Sequence, residues 1–285
     1  MADVRETTKT MRLALTGASA AAPLYPLRRG MPSLDSIQDD KTEITPTPGG
    51  PTYRIIKTTE VDSYETTPTA VALSKLLKGK QAPARAALAA AVKPKAPAGA
   101  QFAGTARKAA KLSIATAPVE NFNDVSALIV SLIPSDQMIH HKPPISTAST
   151  SKRVKEENRN IHVTGFLYAA SREADNDYHL IVGDDPNAPN EAYVTMEVSG
   201  LPPANSPASG SLNAARSAYE QFFGSKNLPG AGYHFYHPPI PVQIDGSLFF
   251  DMSHSSGQAP GPPSLKSRMP TIWEVHPITK IKLGP

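Results

Sequence analysis

The sequence predicts a mainly β protein whose packed structure is concentrated in its C-terminal half. Three observations point that way. From residue 160 onward, short runs rich in β-branched and aromatic residues alternate with polar turns. One helical pattern interrupts them between the third and fourth runs. The chain of 285 residues also holds 29 prolines and only 6% aromatic residues, so a large part of it should be irregular.

Residues 1–120 read as a low-complexity, largely disordered basic arm. Pro, Gly, Ser and Thr recur through 1–51 (GASAAAPLYP, ITPTPGGPT) without a sustained period. Residues 52–64 are rich enough in β-branched and aromatic side chains for a strand, on an edge. Residues 69–78 place Leu73, Leu76 and Leu77 at helical spacing, with Gly79 to end the helix. Residues 79–111 are built from Ala, Pro, Lys and Arg. They carry Lys80, Arg85, Lys93, Lys95, Arg107, Lys108 and Lys111 with no acid among them. Such a segment buries too little apolar area to offset the entropy of ordering it.

Residues 121–154 are expected to form a short helix and a linker. Asp124 can cap the helix, and Val125, Leu128, Ile129 and Leu132 make its apolar face before Pro134 stops it.

Residues 155–285 form the predicted domain. Its first strand, 161–169, alternates Ile161, Val163, Gly165 and Leu167 with His162, Thr164, Phe166 and Tyr168. After the turn SREADN, the strand 177–183 buries Tyr178, Leu180 and Val182; the third strand, 192–198, follows DDPNAPN. Leu212, Ala215, Tyr219, Phe222 and Phe223 then share a helix face that Gly224 closes. Residues 242–250 and 271–283 are the last two strands, with Pro277 at an edge or bulge. Three strands, a helix and two strands is the order of the OB-fold, a five-stranded Greek-key barrel, and Gly165 and Gly246 suit sharp bends.

The stretches ADNDYHLIVG, GSLFFDMSHSSGQAPGPP and IWEVHP resemble an uncharacterised family of bacterial OB-like β-barrel proteins. The resemblance covers residues 155–283 and none of the N-terminal half. It implies the barrel fold and no particular activity.

The net charge of +4 is unevenly spread: residues 1–154 hold 20 of the 29 Lys and Arg but only 12 of the 25 Asp and Glu. The C-terminal domain is therefore acidic, which argues against it as a reader of nucleic acid. Exposed aromatics at Phe166, Tyr168 and Tyr193 could stack bases or another ligand, but only Arg172, Lys266 and Arg268 supply positive charge nearby. The basic arm is the better candidate for phosphate contacts. There is no cysteine, so disulfides, thiolate metal sites and thiol nucleophiles are excluded. The alanine-rich stretch at 11–26 is less hydrophobic than a secretory leader, and no run reaches the length of a membrane span, so a cytoplasmic protein is expected.

Three acid–histidine pairs are the candidate chemistry: Asp177 with His179, Asp251 with His254, and Glu274 with His276. Imidazole and carboxylate are ligands for zinc, nickel or iron, and an acid beside each His can fix its tautomer. The spacing matches no established ligand motif, and the alternative is that these histidines close hydrogen bonds at strand ends. No nucleophile elbow, P-loop or dinucleotide fingerprint is present. The long loop 255–270, with the turn 171–176, could frame a partner site. The expectation is a non-catalytic binding or interaction protein for an unidentified protein or small ligand. Its alternatives are metal-dependent hydrolysis with a divalent metal at the three pairs, and nucleic-acid association through the arm.

Overall fold

A computed structural model describes residues 30–38, 41–62, 99–189, 191–255 and 260–285. The helix expected at 69–78, Lys80, Arg85, Lys93 and Lys95, and the stretch at 11–26 lie outside the described residues. The protein is mainly β. Its strands are β1 (Glu43–Ile44), β2 (Tyr53–Lys57), β3 (Val119–Phe122), β4 (Asn160–Arg172), β5 (Tyr178–Gly183), β6 (Tyr193–Val198), β7 (His234–Phe250) and β8 (Trp273–Leu283). They form one mixed sheet in the order β1-β2-β7-β8-β6-β5-β4-β3, and an additional β7–β4 pairing closes a ring through β4, β5, β6, β8 and β7. Pairing is antiparallel except for β3–β4 and β6–β8.

Strand alternation places the core. Val163 and Leu167 from β4, Tyr178, Leu180 and Val182 from β5, and Val194, Met196 and Val198 from β6 turn to one side. There they meet Leu248 and Phe250 of β7 and Trp273 and Val275 of β8. Helix α4 (Ser209–Phe223) closes this core with Leu212, Ala215, Tyr219 and Phe223, and Tyr219 stacks at 4.8 Å between centroids on Tyr178. Its Arg216 is buried as well, with the guanidinium 4.4 Å above the Tyr178 ring and bonded to the Asn176 and Ser199 carbonyls. Helix α2 (Val125–Val130), which precedes the short α3 (Ser135–Ile139), is capped as expected: the Ala127 N–H donates to Asp124 Oδ1 at 2.7 Å.

Strand β7 begins eight residues before the expected position 242, despite Pro238, Pro239 and Pro241. Its pairing with β4 jumps from Leu167–Ile240 to Ala169–Phe235, so the intervening prolines sit in a bulge where no ladder donor is needed. Gly246 is required by close approach, because a Cβ there would lie 2.5 Å from Val275 Cγ1 and 2.8 Å from the Pro277 carbonyl.

The arm expected over 1–120 differs where it is described. Residues 53–57 join the sheet beside β7, and 119–122 join it beside β4. Between them, residues 99–111 lie on the ring as a strap ending in the short helix α1 (Lys108–Lys111). Its backbone is pinned by Phe102 N–H to the Leu201 carbonyl (2.9 Å) and Ala103 N–H to the Asp175 carbonyl (2.8 Å). Arg107, instead of standing in solvent, makes a bidentate pair with Glu157 at 2.6 and 2.8 Å. The linker at 143–153 is held by the same strap, through Arg107 N–H to Thr147 O and Ala109 N–H to Ser149 O.

Candidate acid–histidine centre

The opposite parity of the ring carries the candidate site. In β5, His179 alternates with the core residues Tyr178 and Leu180; in β6, Glu197 alternates with Met196 and Val198; in β8, Glu274 and His276 flank Val275. The register sets His179 opposite Glu197 and Thr195 opposite Glu274. Because β6 lies between β5 and β8, residues from all three strands share one patch. Asp177 enters at the start of β5, and Asp251 and His254 at the turn that follows β7.

This patch is covered on every described side. Residues 58–62 after β2 bring Asp62, the turn before β5 brings Glu173 and Asp175, and α1 brings Lys111. Asp62, Asp177, His179, Glu197, Asp251, His254, Glu274 and His276 are all buried. They sort into three groups, each able to offer one ligand atom per residue within 4.8 Å of the others: Asp62, Glu173 and His179; Asp177, Glu197 and His276; Asp251, His254 and Glu274.

Charge compensation differs among the groups. His179 Nδ1 lies 2.6 Å from Glu173 Oε1 and 3.3 Å from Glu197 Oε1, while Nε2 faces Asp62 Oδ2 at 3.6 Å. His276 Nδ1 lies 2.5 Å from Glu197 Oε2, and its Nε2 is 3.5 Å from Asp177 Oδ2. Lys111 Nζ adds a positive charge 3.8 Å from Glu197. In the third group, Asp251 Oδ1 accepts from Ser253 N–H at 2.8 Å, which leaves Oδ2 turned to His254 Nε2 at 3.6 Å. Among the described residues, no Lys or Arg approaches Asp251 or Glu274 within the 4.0 Å of an ion pair, and neither oxygen of Glu274 accepts a hydrogen bond.

Titration follows from these surroundings. Burial pushes the Glu274 carboxyl well above the usual carboxylate range, reinforced by Glu197 and Asp251. Burial does the same for Asp177, with Asp175 adding to it, and lifts Glu173 to about 8 against the pull of His179. Glu197 is the exception: burial raises it, but Lys111 and His276 outweigh that and hold it well below the usual range. Burial lowers His179, yet Glu173 and Asp62 reverse the effect and keep it well above an ordinary imidazole. His254 moves down, because burial is only partly offset by Asp251. Of these two rings, His254 is the one disposed to be neutral, the form that coordinates metal.

The acids and histidines named from sequence therefore lie in one centre but not as the pairs expected: Asp177 faces His276 instead of His179, and Glu274 groups with Asp251 and His254. Asp62, Glu173 and Lys111 join them without a local signal, and Glu197 joins them from β6, where it alternates with the core residues Met196 and Val198. The proposed ligand-binding aromatics lie elsewhere. Tyr168 and Tyr193 are buried edge-to-face at 4.9 Å, and the Tyr168 hydroxyl donates to the Asp184 carbonyl, so neither presents a ring face to solvent. Phe166 is partly buried against the same cluster. Arg172 is bonded to Asn176 Oδ1 at 2.7 Å, Arg268 pairs with Glu191 at 2.7 Å, and Lys266 stands in the turn Lys266–Arg268. Of the 255–270 loop, Leu265 and Met269 are buried in one cluster with Ile181 and Tyr193.

No family model, curated protein or solved structure matches the chain. No helix among the described residues is long and apolar enough to cross a membrane.

Proposed function

We propose that this is a non-catalytic binding protein on an OB-like barrel whose ligand is a divalent transition-metal ion, held by Asp251, His254 and Glu274. The observation that carries the reading is Glu274. Its carboxylate is 1% exposed with neither oxygen hydrogen-bonded among the described residues, and an orphaned buried carboxylate is costly unless a cation or proton completes it. Ligands about 2.1 Å from a common ion stand at most about 4.2 Å apart. A group already within 4.8 Å closes on an ion with small side-chain shifts. One imidazole with two carboxylates suits zinc, manganese, iron or nickel better than calcium or magnesium, which favour all-oxygen sites.

The barrel part of the proposal is supported by the ring order β4-β5-β6-β8-β7, by the parallel β6–β8 pair and by α4 between β6 and β7. The stretches that resemble the bacterial β-barrel family supply Asp177, His179, Asp251, His254, Glu274 and His276, so membership in that family is part of the same proposal. A hydrolase needs an open coordination position facing its substrate; Asp251 at 8%, His254 at 6% and Glu274 at 1% exposure favour an enclosed ion. Nucleic-acid binding through the arm loses support from Arg107 and Lys111, both engaged with buried acids.

The test is elemental analysis of untagged protein, followed by EDTA stripping and titration with Zn²⁺ and Mn²⁺. Uptake by the wild type should be abolished at this group in an Asp251→Asn, His254→Ala variant. A stripped wild type that takes up no ion from either titration refutes the proposal.

A further inference from the structure

The second group, Asp177, Glu197 and His276, has a lysine ammonium set against its carboxylates. Lys111, the last residue of α1, is 7% exposed. Its Nζ lies 3.5 Å from Asp175 Oδ2, 3.8 Å from Glu197 Oε2 and 4.0 Å from Asp177 Oδ2, beside the Phe249 ring at 5.8 Å. The two contacts to the group exceed hydrogen-bonding distance, so the ammonium serves there as a point charge. Asp177 is fully buried; its Oδ1 accepts from Gly200 N–H at 2.5 Å, while Oδ2 accepts no hydrogen bond among the described residues. That unpartnered oxygen faces His276 Nε2 at 3.5 Å, and the His276 ring is itself fully buried.

An ammonium neutralises such a group without filling it. It brings three donors on a flexible stem, whereas two carboxylates and an imidazole are the ligand set of a divalent ion. Both cations draw on Glu197 and Asp177, and their like charges oppose joint occupancy.

We propose that Asp177, Glu197 and His276 form a second divalent-cation site that Lys111 occupies as a tethered cation, metal and ammonium excluding one another. The inference rests on the metal reading of the neighbouring group and extends it to a position where the chain supplies its own counterion. It also gives the strap a role. The strap is pinned by backbone bonds at Phe102 and Ala103 and delivers the charge at its end, so Lys111 decides how many ions the centre takes at moderate metal concentration.

The experiment is a Mn²⁺ titration of stripped full-length protein, with free Mn²⁺ read by electron paramagnetic resonance. Wild type is expected to bind one ion, Lys111→Met two, and Lys111→Arg one; the additional ion should be lost again in Lys111→Met with Asp177→Asn. One ion in both wild type and Lys111→Met overturns the inference and leaves the first site standing. No Mn²⁺ or Zn²⁺ taken up by wild type but one Mn²⁺ by Lys111→Met overturns the first site and supports the second. If Lys111→Met does not fold, reductive methylation of the wild type decides the matter. Lys111 should be protected in EDTA and become methylated in excess Mn²⁺, and protection at every Mn²⁺ concentration overturns the inference.

Discussion

Replacing Glu274 by methionine separates a metal ligand from a structural residue, because the two roles predict opposite signs. The Glu274 carboxyl is 1% exposed and accepts no hydrogen bond among the described residues. An unsatisfied buried polar group costs about 1–3 kcal/mol, and an apolar replacement of similar shape recovers much of it. Glu274→Met should therefore be more stable than wild type in EDTA. At about 2–4 °C per kcal/mol for a domain of this size, melting should rise by about 2–12 °C. Metal should reverse the ranking of the responses. An ion present at a hundred times its Kd stabilises the wild type by about 2.7 kcal/mol, or about 5–11 °C, whereas the variant lacks one of three protein ligands and should gain little. Scanning calorimetry of both proteins, in EDTA and in Zn²⁺, reads all four values. Destabilisation of Glu274→Met in EDTA, or an equal zinc-induced shift in both proteins, would refute the reasoning.

The stripped protein should lose stability as pH rises from 5.5 to 7.5. Asp177, Glu173 and Glu274 have folded-state values raised by burial, so the folded state keeps protons that the unfolded state releases. His179 is raised too and loses its contribution as pH climbs through its folded value. His254, lowered by burial, opposes the trend only in part. Each raised group contributes at most about 1.4 kcal/mol per pH unit, and urea unfolding in EDTA that gains stability across this range would contradict the assignment. Arg107→Met should cost about 3–5 kcal/mol, because it strands the fully buried Glu157 carboxylate. A loss under about 1 kcal/mol by urea unfolding would show that water reaches that pair.

What was legible in the sequence was local. Strand alternation has a period of two residues, so His179, Glu197, Glu274 and His276 could be assigned to the outward parity from their own strands. What joins them is not local. Strand β6 stands between β5 and β8 through a parallel pairing that no short-range pattern encodes. Asp62 and Glu173 come from segments with nothing to mark them, and they matter only because the chain folds back over the outward face. That covering also explains Tyr168 and Tyr193. Their parity suited an exposed stacking platform, but they are buried in one cluster with Leu265 and Met269.

The charge split needs the same correction. The basic surplus of residues 1–154 and the acidic surplus of the remainder invite a search for an external partner. Part of the answer lies within the chain: Arg107 meets Glu157, and Lys111 meets Asp175, Asp177 and Glu197, each pair crossing the boundary between the two halves. Counting charge by segment treats such partners as strangers, and Lys111 shows what is lost. In its own neighbourhood of Ala, Pro and Lys it reads as one more solvated cation. In the fold it is a charge placed at 7% exposure among carboxylates. The +4 net charge therefore says less about partners than the local balance around each buried acid, and Glu274 has no lysine or arginine within the 4.0 Å of an ion pair and accepts no hydrogen bond among the described residues.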